Sequence, residues 1–245
     1  MAVRVLFLIS ILCGVVKGQA MVHDIAVKNA DSVTIYYNYI NDGKELEVTG
    51  QGYIGSVVIP EEVTYQNITR KVTSIEDYAL SWCHHLKSVT IPRSVTSIGA
   101  RAFSGCDRLA SISVEVGNKV YDSRDNCNAI IETATNTLIA GCKNTVIPKS
   151  VTSIGGGAFS HCNCLTSLTI PKGVTSIGAY AFYGCYSLKD VYCYAVNVPT
   201  TDSQPDGDWV FCNSGSVKLH VPAASLEAYK TAWPWKAFGK FVELR

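Results

Sequence analysis

"VTSIGARAFSGC", Val95–Cys106, is written again with small changes as "VTSIGAYAFYGC", Val174–Cys185. A reaction centre needs each of its groups once, so a doubled word points to a doubled structural unit, and self-similarity sets the fold before any motif does. The word "VTSI" opens at Val72, Val95, Val151 and Val174; the outer pairs are each 23 residues apart, and the middle gap of 56 is one such period plus an insertion of 33. The register holds through Ile75, Ile98, Ile154 and Ile177, then Ala79, Ala102, Ala158 and Ala181, then Leu80, Phe103, Phe159 and Phe182. It continues through Cys83, Cys106, Cys162 and Cys185 to Leu86, Leu109, Leu165 and Leu188.

Inside one copy, "LKSVTIP", Leu86–Pro92, alternates inward and outward residues as a strand does, and Pro92 closes it by withholding a ladder donor. "VTSI" reads as a second short strand. "AFSGC", with Gly105 free to take a positive φ, suits a short helical turn. The inward side chains of a single copy cannot offset the entropy of ordering its own backbone, so each copy must stack on neighbours and share a core. The expected architecture is a β-rich repeat solenoid with a parallel sheet along one face and short helical turns along another.

The rest of the chain is consistent with that frame. It has 245 residues, is 47% hydrophobic and carries a formal charge of +1, enough to bury a core and without the basic excess of a nucleic-acid binder. "MAVRVLFLISILCGVVKGQA", residues 1–20, places Arg4 before the apolar run Val5–Val16 and small residues at Gly18 and Ala20, the pattern of a secretory signal peptide and too short to span a bilayer. Leu12 before Cys13 is too bulky for a lipoprotein site. Cleavage would remove Arg4 and Lys17 and leave a nearly neutral chain without a transmembrane segment.

The pattern F-x-x-C-x-x-L-x-x-V-x-I-P followed by V-x-x-I-G-x-x-A-F, carried by Phe103–Cys106 and Leu165–Phe182, resembles the BspA-like class of bacterial leucine-rich repeats. "YDSRDNCNAIIETATNTLIAGC", Tyr121–Cys142, is similar to a segment such surface proteins carry between repeats, and "VTIYYNYINDGKELEVTG" and "LHVPAASLEAYKTAWPWKAF" are similar to their terminal modules. The first copy departs from the pattern, with Leu80 in place of Phe and "SWC" in place of the small-Gly-Cys word, as terminal copies often do. The resemblance implies a bacterial, non-enzymatic adhesion or interaction protein, exported to the cell surface, the medium or the periplasm. Its expected partner is a host extracellular-matrix protein, another cell-surface protein or a glycan, with no nucleic acid and no cofactor.

The expected organisation is a signal peptide over 1–20, an N-terminal β cap over 21–71, the solenoid over 72–198 with an inserted hairpin at 115–145, and a C-terminal capping module over 199–245. Runs such as "SVTIYY" and "IGSVVIP" suit a small sheet over the first copy. Pro222 can open a short helix through "AASLEAYKTA", with Trp233, Trp235 and Phe238 sealing the last copy. In the insertion, "CNAII" and "TLIAG" flank a polar turn.

Reactive groups gather weakly. Four of the cysteines share one repeat position, where equivalent side chains point the same way, so a buried thiol column is expected there rather than disulfides. Cys127 and Cys142 differ, because pairing Ile131 with Leu138 would set them opposite each other and leave a disulfide open. "WCHH", Trp82–His85, and "HCNC", His161–Cys164, hold zinc-type ligands, but Cys83 and Cys162 point inward while the histidines sit in turns, so no metal site is expected. No Gly-x-Ser-x-Gly elbow occurs, and Asp206 with Asp208 reads as a solvated turn rather than a glycosidase pair. Asn67 matches a glycosylation acceptor with little meaning in a bacterium.

What remains is a surface. The outward positions of the "LxxVxI" strands are Lys87, Ser88 and Thr90; Ala110, Ser111 and Ser113; Thr166, Ser167 and Thr169; and Lys189, Asp190 and Tyr192. They form either a binding face, as solenoids commonly use, or simply a solvated strand surface. The alternative function is a periplasmic or outer-membrane glycan-binding accessory, which needs an aromatic platform from Trp209, Trp233 or Trp235, with the last two expected to be buried in the cap. A hydrolase would need a cleft with converging titratable groups.

Overall fold

The computed structural model describes residues 23–202, 210–211 and 214–244. The signal-peptide reading, Cys13, Asp206, Asp208 and Trp209 lie outside them. Over the described residues the chain is a β-rich solenoid of stacked repeats with one short α-helix near its C-terminal end.

The "VTSI" words form a ladder in two pieces. β1 (Ile25–Lys28), β2 (Thr34–Ile40) and β3 (Glu45–Thr49) make an antiparallel meander; β3 then runs parallel to β6 (Ile68–Ile75), which also pairs antiparallel with β5 (Glu62–Tyr65). Ser74–Ile75 of β6 pairs in parallel with β8 (Ser97–Ile98). After the insertion, β12 (Thr137–Gly141), β13 (Ser153–Ile154), β15 (Ser176–Ile177) and β17 (Thr200–Thr201) are joined rung by rung, again in parallel.

The "LxxVxI" strands make a second ladder in two pieces. β4 (Ile54–Val58), β7 (His85–Ile91) and β9 (Ser111–Val114) form one parallel sheet. β14 (Ser167–Ile170), β16 (Asp190–Cys193), β18 (Lys218–Pro222) and β19 (Lys240–Leu244) form the other. Between the two ladders each copy makes hydrogen-bonded turns, as in Ser104 N–H to Arg101 O and Ser160 N–H to Gly157 O.

The insertion explains the break. β10 (Tyr121–Asp122) and β11 (Ala129–Glu132) pair antiparallel, β11 pairs with β12, and β12 itself serves as a rung beneath β13. Ala129, Ile130 and Ile131 are fully buried in succession because both faces of the hairpin meet core. Ala129, Ile131 and Leu138 face the C-terminal half, while Ile130 and Ala140 face the N-terminal half, so the interior is two clusters divided by this hairpin rather than one rod.

Ile131 does pair with Leu138, but the register then slips, because Ile130 faces Ala140 and Ile139 is the extra residue. A one-residue slip turns side chains to the opposite face. Cys127 therefore lies in the C-terminal cluster and Cys142 in the N-terminal one, both as free thiols. Their Sγ atoms approach the Ala129 and Asn128 carbonyls at 3.7 and 3.4 Å respectively.

The C-terminal seal is built from α1 (Leu226–Thr231) and the residues after it. Tyr229, Trp235 and Phe238 are buried there, with Trp235 Nε1 donating to the Pro199 carbonyl at 3.2 Å. Trp233, expected in the same seal, is instead 37% exposed beside Lys236. The chain turns at the intervening Pro234, so only one of the two indoles can face the last rung.

Candidate binding surfaces

In the N-terminal sheet Lys87 is exposed and Ser88, Thr90, Ala110, Ser111 and Ser113 are half-buried, with the Thr90 and Ser113 hydroxyls 3.2 Å apart. In the C-terminal sheet Thr166, Ser167, Thr169 and Lys189 are exposed, and Asp190 and Tyr192 are half-buried. The twelve outward residues thus sit on two sheets, and among the described residues no ladder joins β9 to β14.

The C-terminal sheet extends further than the repeat words. Parallel register sets Ser167, Asp190, Lys218 and Lys240 in one row and Thr169, Tyr192, His220 and Val242 in the next. His220 stacks on Tyr192 with ring centroids 4.1 Å apart and an interplanar angle of 16°, and its Nε2 lies 2.8 Å from Asp190 Oδ1. The hydrogen bond from His220, helped by Lys218 and Lys189, holds the Asp190 carboxyl below the usual carboxylate range. His220 and Lys218 were missed from sequence, although "VKLHVP" retains the alternation of "SLTIP".

The turns present a second surface. Two columns of equivalent residues share a positive φ: Tyr78, Arg101, Gly157 and Tyr180 at 59°, 52°, 68° and 61°, and Trp82, Gly105, His161 and Gly184 at 57°, 73°, 56° and 76°. The conformation aims backbone donors along the axis, as in Tyr78 N–H to Ala100 O, Trp82 N–H to Ser104 O and His161 N–H to Tyr183 O. Glycine adopts it freely, whereas a side chain there costs roughly 1–2 kcal/mol.

Those costly side chains cover the glycines of the next copy. The six-membered ring of Trp82 lies over Gly105, where a Cβ would come within 2.5 Å of it. His161 covers Gly184 in the same way, and Arg101 covers Gly157. Across Gly105, Trp82 meets His161 at 4.7 Å between ring centroids; His161 meets Tyr183 edge-on at 5.3 Å, and the Arg101 guanidinium lies 4.2 Å over Tyr180. Burial, reinforced by Arg101 against the opposing pull of Asp107, lowers the His161 pKa. Asp107 accepts from His84 Nδ1 at 2.7 Å and from Asn163 Nδ2 at 2.9 Å.

The insertion also opens a cleft. The Ala158 carbonyl, which the repeat would pair with Phe103, accepts instead from Gly141 N–H. A cavity of about 330 Å³ results, lined by Arg101, Phe103, Tyr121, Glu132 and Gly155 among others. Its one carboxylate, Glu132, takes a hydrogen bond from Thr135 Oγ1 at 2.6 Å, and no histidine lines it. Among the described residues no three His, Cys, Asp or Glu gather for a metal ion. The repeat cysteines are buried, with Cys106 Sγ 3.0 Å from the Leu80 carbonyl and Cys185 Sγ 3.1 Å from that of Phe159. Burial pushes the Cys106 thiol up to about 12, far from a nucleophile's range. No helix of the described chain is long and apolar enough to cross a membrane.

Residues 60–140 and 136–204 match the family model for the BspA type leucine rich repeat region, in six copies. No curated protein matches the chain. Among solved structures, a leucine-rich repeat protein from Bacteroides ovatus is 19% identical, covering 86% of this chain and 75% of that one, with a TM-score of 0.42. A leucine rich cell surface protein from Faecalibacterium prausnitzii is 19% identical over 82% of this chain and 72% of its own, with a TM-score of 0.35. The leucine rich repeat protein of T. pallidum is 21% identical over 82% and 90%, with a TM-score of 0.39. With its repeats matched over more than half its length, the chain belongs to the BspA-type leucine-rich repeat family.

Proposed function

We propose that this chain is a non-enzymatic adhesion module, exported to the bacterial surface, that binds a host extracellular-matrix or other cell-surface protein through the outward face of its C-terminal sheet. The observation that supports this most is the Asp190–His220–Tyr192 group, an ordered set of charge, ring and hydroxyl on an open parallel sheet. Aromatic and charged anchors held in one orientation lose little entropy on binding, which favours them as contact centres. Family membership supports a binding role by analogy.

The test applies the exported chain and a Lys189→Ala, Asp190→Ala, Tyr192→Ala triple variant to immobilised matrix proteins. Binding by the former that falls at least tenfold in the latter, with the melting temperature preserved, supports the reading. Equal binding by both excludes this face.

A further inference from the structure

We propose that the turn edge around Trp82 is a second binding site, for an uncharged saccharide. Three observations converge there. First, the site is held at a structural cost: Trp82 occupies a left-handed position that Gly105 and Gly184 fill elsewhere in the same column, and its indole is nevertheless 46% exposed. Residues kept in unfavourable backbone regions concentrate where a surface is used. Second, the six-membered ring of the indole is set against Gly105, and the side chain still keeps 46% of its surface open as an apolar plate. The neighbouring rings are tilted, 50° for His161 and 53° for His84, so they do not extend its plane.

Third, hydrogen-bonding groups are fixed beside the plate. His84, 5.9 Å from the indole between centroids, orients Asp107 from one side and Asn163 orients it from the other. Each Asp107 oxygen holds one donor and keeps acceptor capacity for a hydroxyl. The Oδ1 of the same Asn163 amide is buried with no hydrogen-bond partner, an acceptor left open next to that carboxylate. Asp107 and Arg101 act on His161 with opposite sign, so their fields offset each other and neither ion type is favoured, which suits a neutral ligand. A pyranose supplies what is left, a C–H face for the indole and hydroxyl donors for the carboxylate. This site lies on the turns, apart from the sheet face, so either can fail alone.

The test is an array of neutral hexose and N-acetylhexosamine oligosaccharides, with sulfated and sialylated glycans and matrix proteins alongside, probed with the full exported chain, Trp82→Gly, Asp107→Asn and the sheet-face triple variant. Trp82→Gly relaxes the backbone and Asp107→Asn conserves size, so both are expected to fold, with melting checked in parallel. The proposal expects a neutral oligosaccharide bound by the wild type and by the triple variant, and at least tenfold weaker binding by Trp82→Gly and Asp107→Asn. It is overturned if no neutral glycan binds, if only sulfated or sialylated glycans or proteins are captured, or if a neutral glycan binds the folded Trp82→Gly variant equally well.

Discussion

Phe182 stacks on Phe211, ring centroids 5.1 Å apart and 7° from parallel, although the words around them, "YAFYGC" and "WVFCNS", share little else. Phe159 lies on the other side of Phe182 at 5.2 Å and 17°. The middle ring therefore touches a partner on each face and is fully buried. Phe182→Ala is expected to lower unfolding free energy by about 3–5 kcal/mol, and Phe182→Leu by much less, in urea titrations read by circular dichroism.

The left-handed columns predict opposite signs for two substitutions. Gly105→Ala adds a Cβ against the Trp82 ring at a φ of 73° and should cost about 2 kcal/mol or more. Tyr78→Gly, at an exposed position with a φ of 59°, removes strain and should be neutral or stabilising. Thermal melting of both variants checks the pair; destabilisation by Tyr78→Gly would deny that the column is strained.

His161 has a folded pKa below its ordinary value, so the unfolded chain binds the proton more readily. Its contribution is present above the ordinary histidine pKa of about 6.5 and is lost as pH falls through the folded value. Stability should therefore rise with pH across that window, and His161→Gln should flatten the slope. Asp190 acts lower: its contribution is present above about 4 and is lost as pH falls through its depressed pKa, an effect Asp190→Asn should remove. Chemical denaturation at a series of pH values measures both.

Of the eight described cysteines only Cys164 is exposed. Limited alkylation followed by peptide mass spectrometry should label Cys164 first, with the repeat cysteines protected until the chain unfolds. Rapid labelling of Cys106 or Cys185 would contradict the buried column, as would a disulfide between Cys127 and Cys142.

The four complete words were legible because each retains its inward Ile, Ala, Cys and Leu. The rung at β17 was not, since the two-residue pairing at Thr200–Thr201 needs only backbone donors and leaves no apolar mark. The threading of the insertion through the core had a signal, the unbroken apolar run Ala129–Ile131, but the slip at Ile139 depends on packing and had none. On the sheet face, Tyr192 and Asp190 were readable from alternation, whereas their partner His220 comes from a strand with no repeat word. The aromatic turn edge was hidden for a different reason: Trp82 and His161 look like departures from the glycine word until φ shows that they occupy the glycine position.

The central claim is that equivalent residues of successive copies stack as nearest neighbours. A double-mutant cycle between Phe182→Leu and Phe211→Leu tests it most directly, with Phe103→Leu and Phe182→Leu as the distant control. A coupling of about 0.5–1.5 kcal/mol for Phe182 with Phe211, and additivity within roughly 0.5 kcal/mol for Phe103 with Phe182, is the expected result. Additivity for Phe182 with Phe211 would contradict the stacked column.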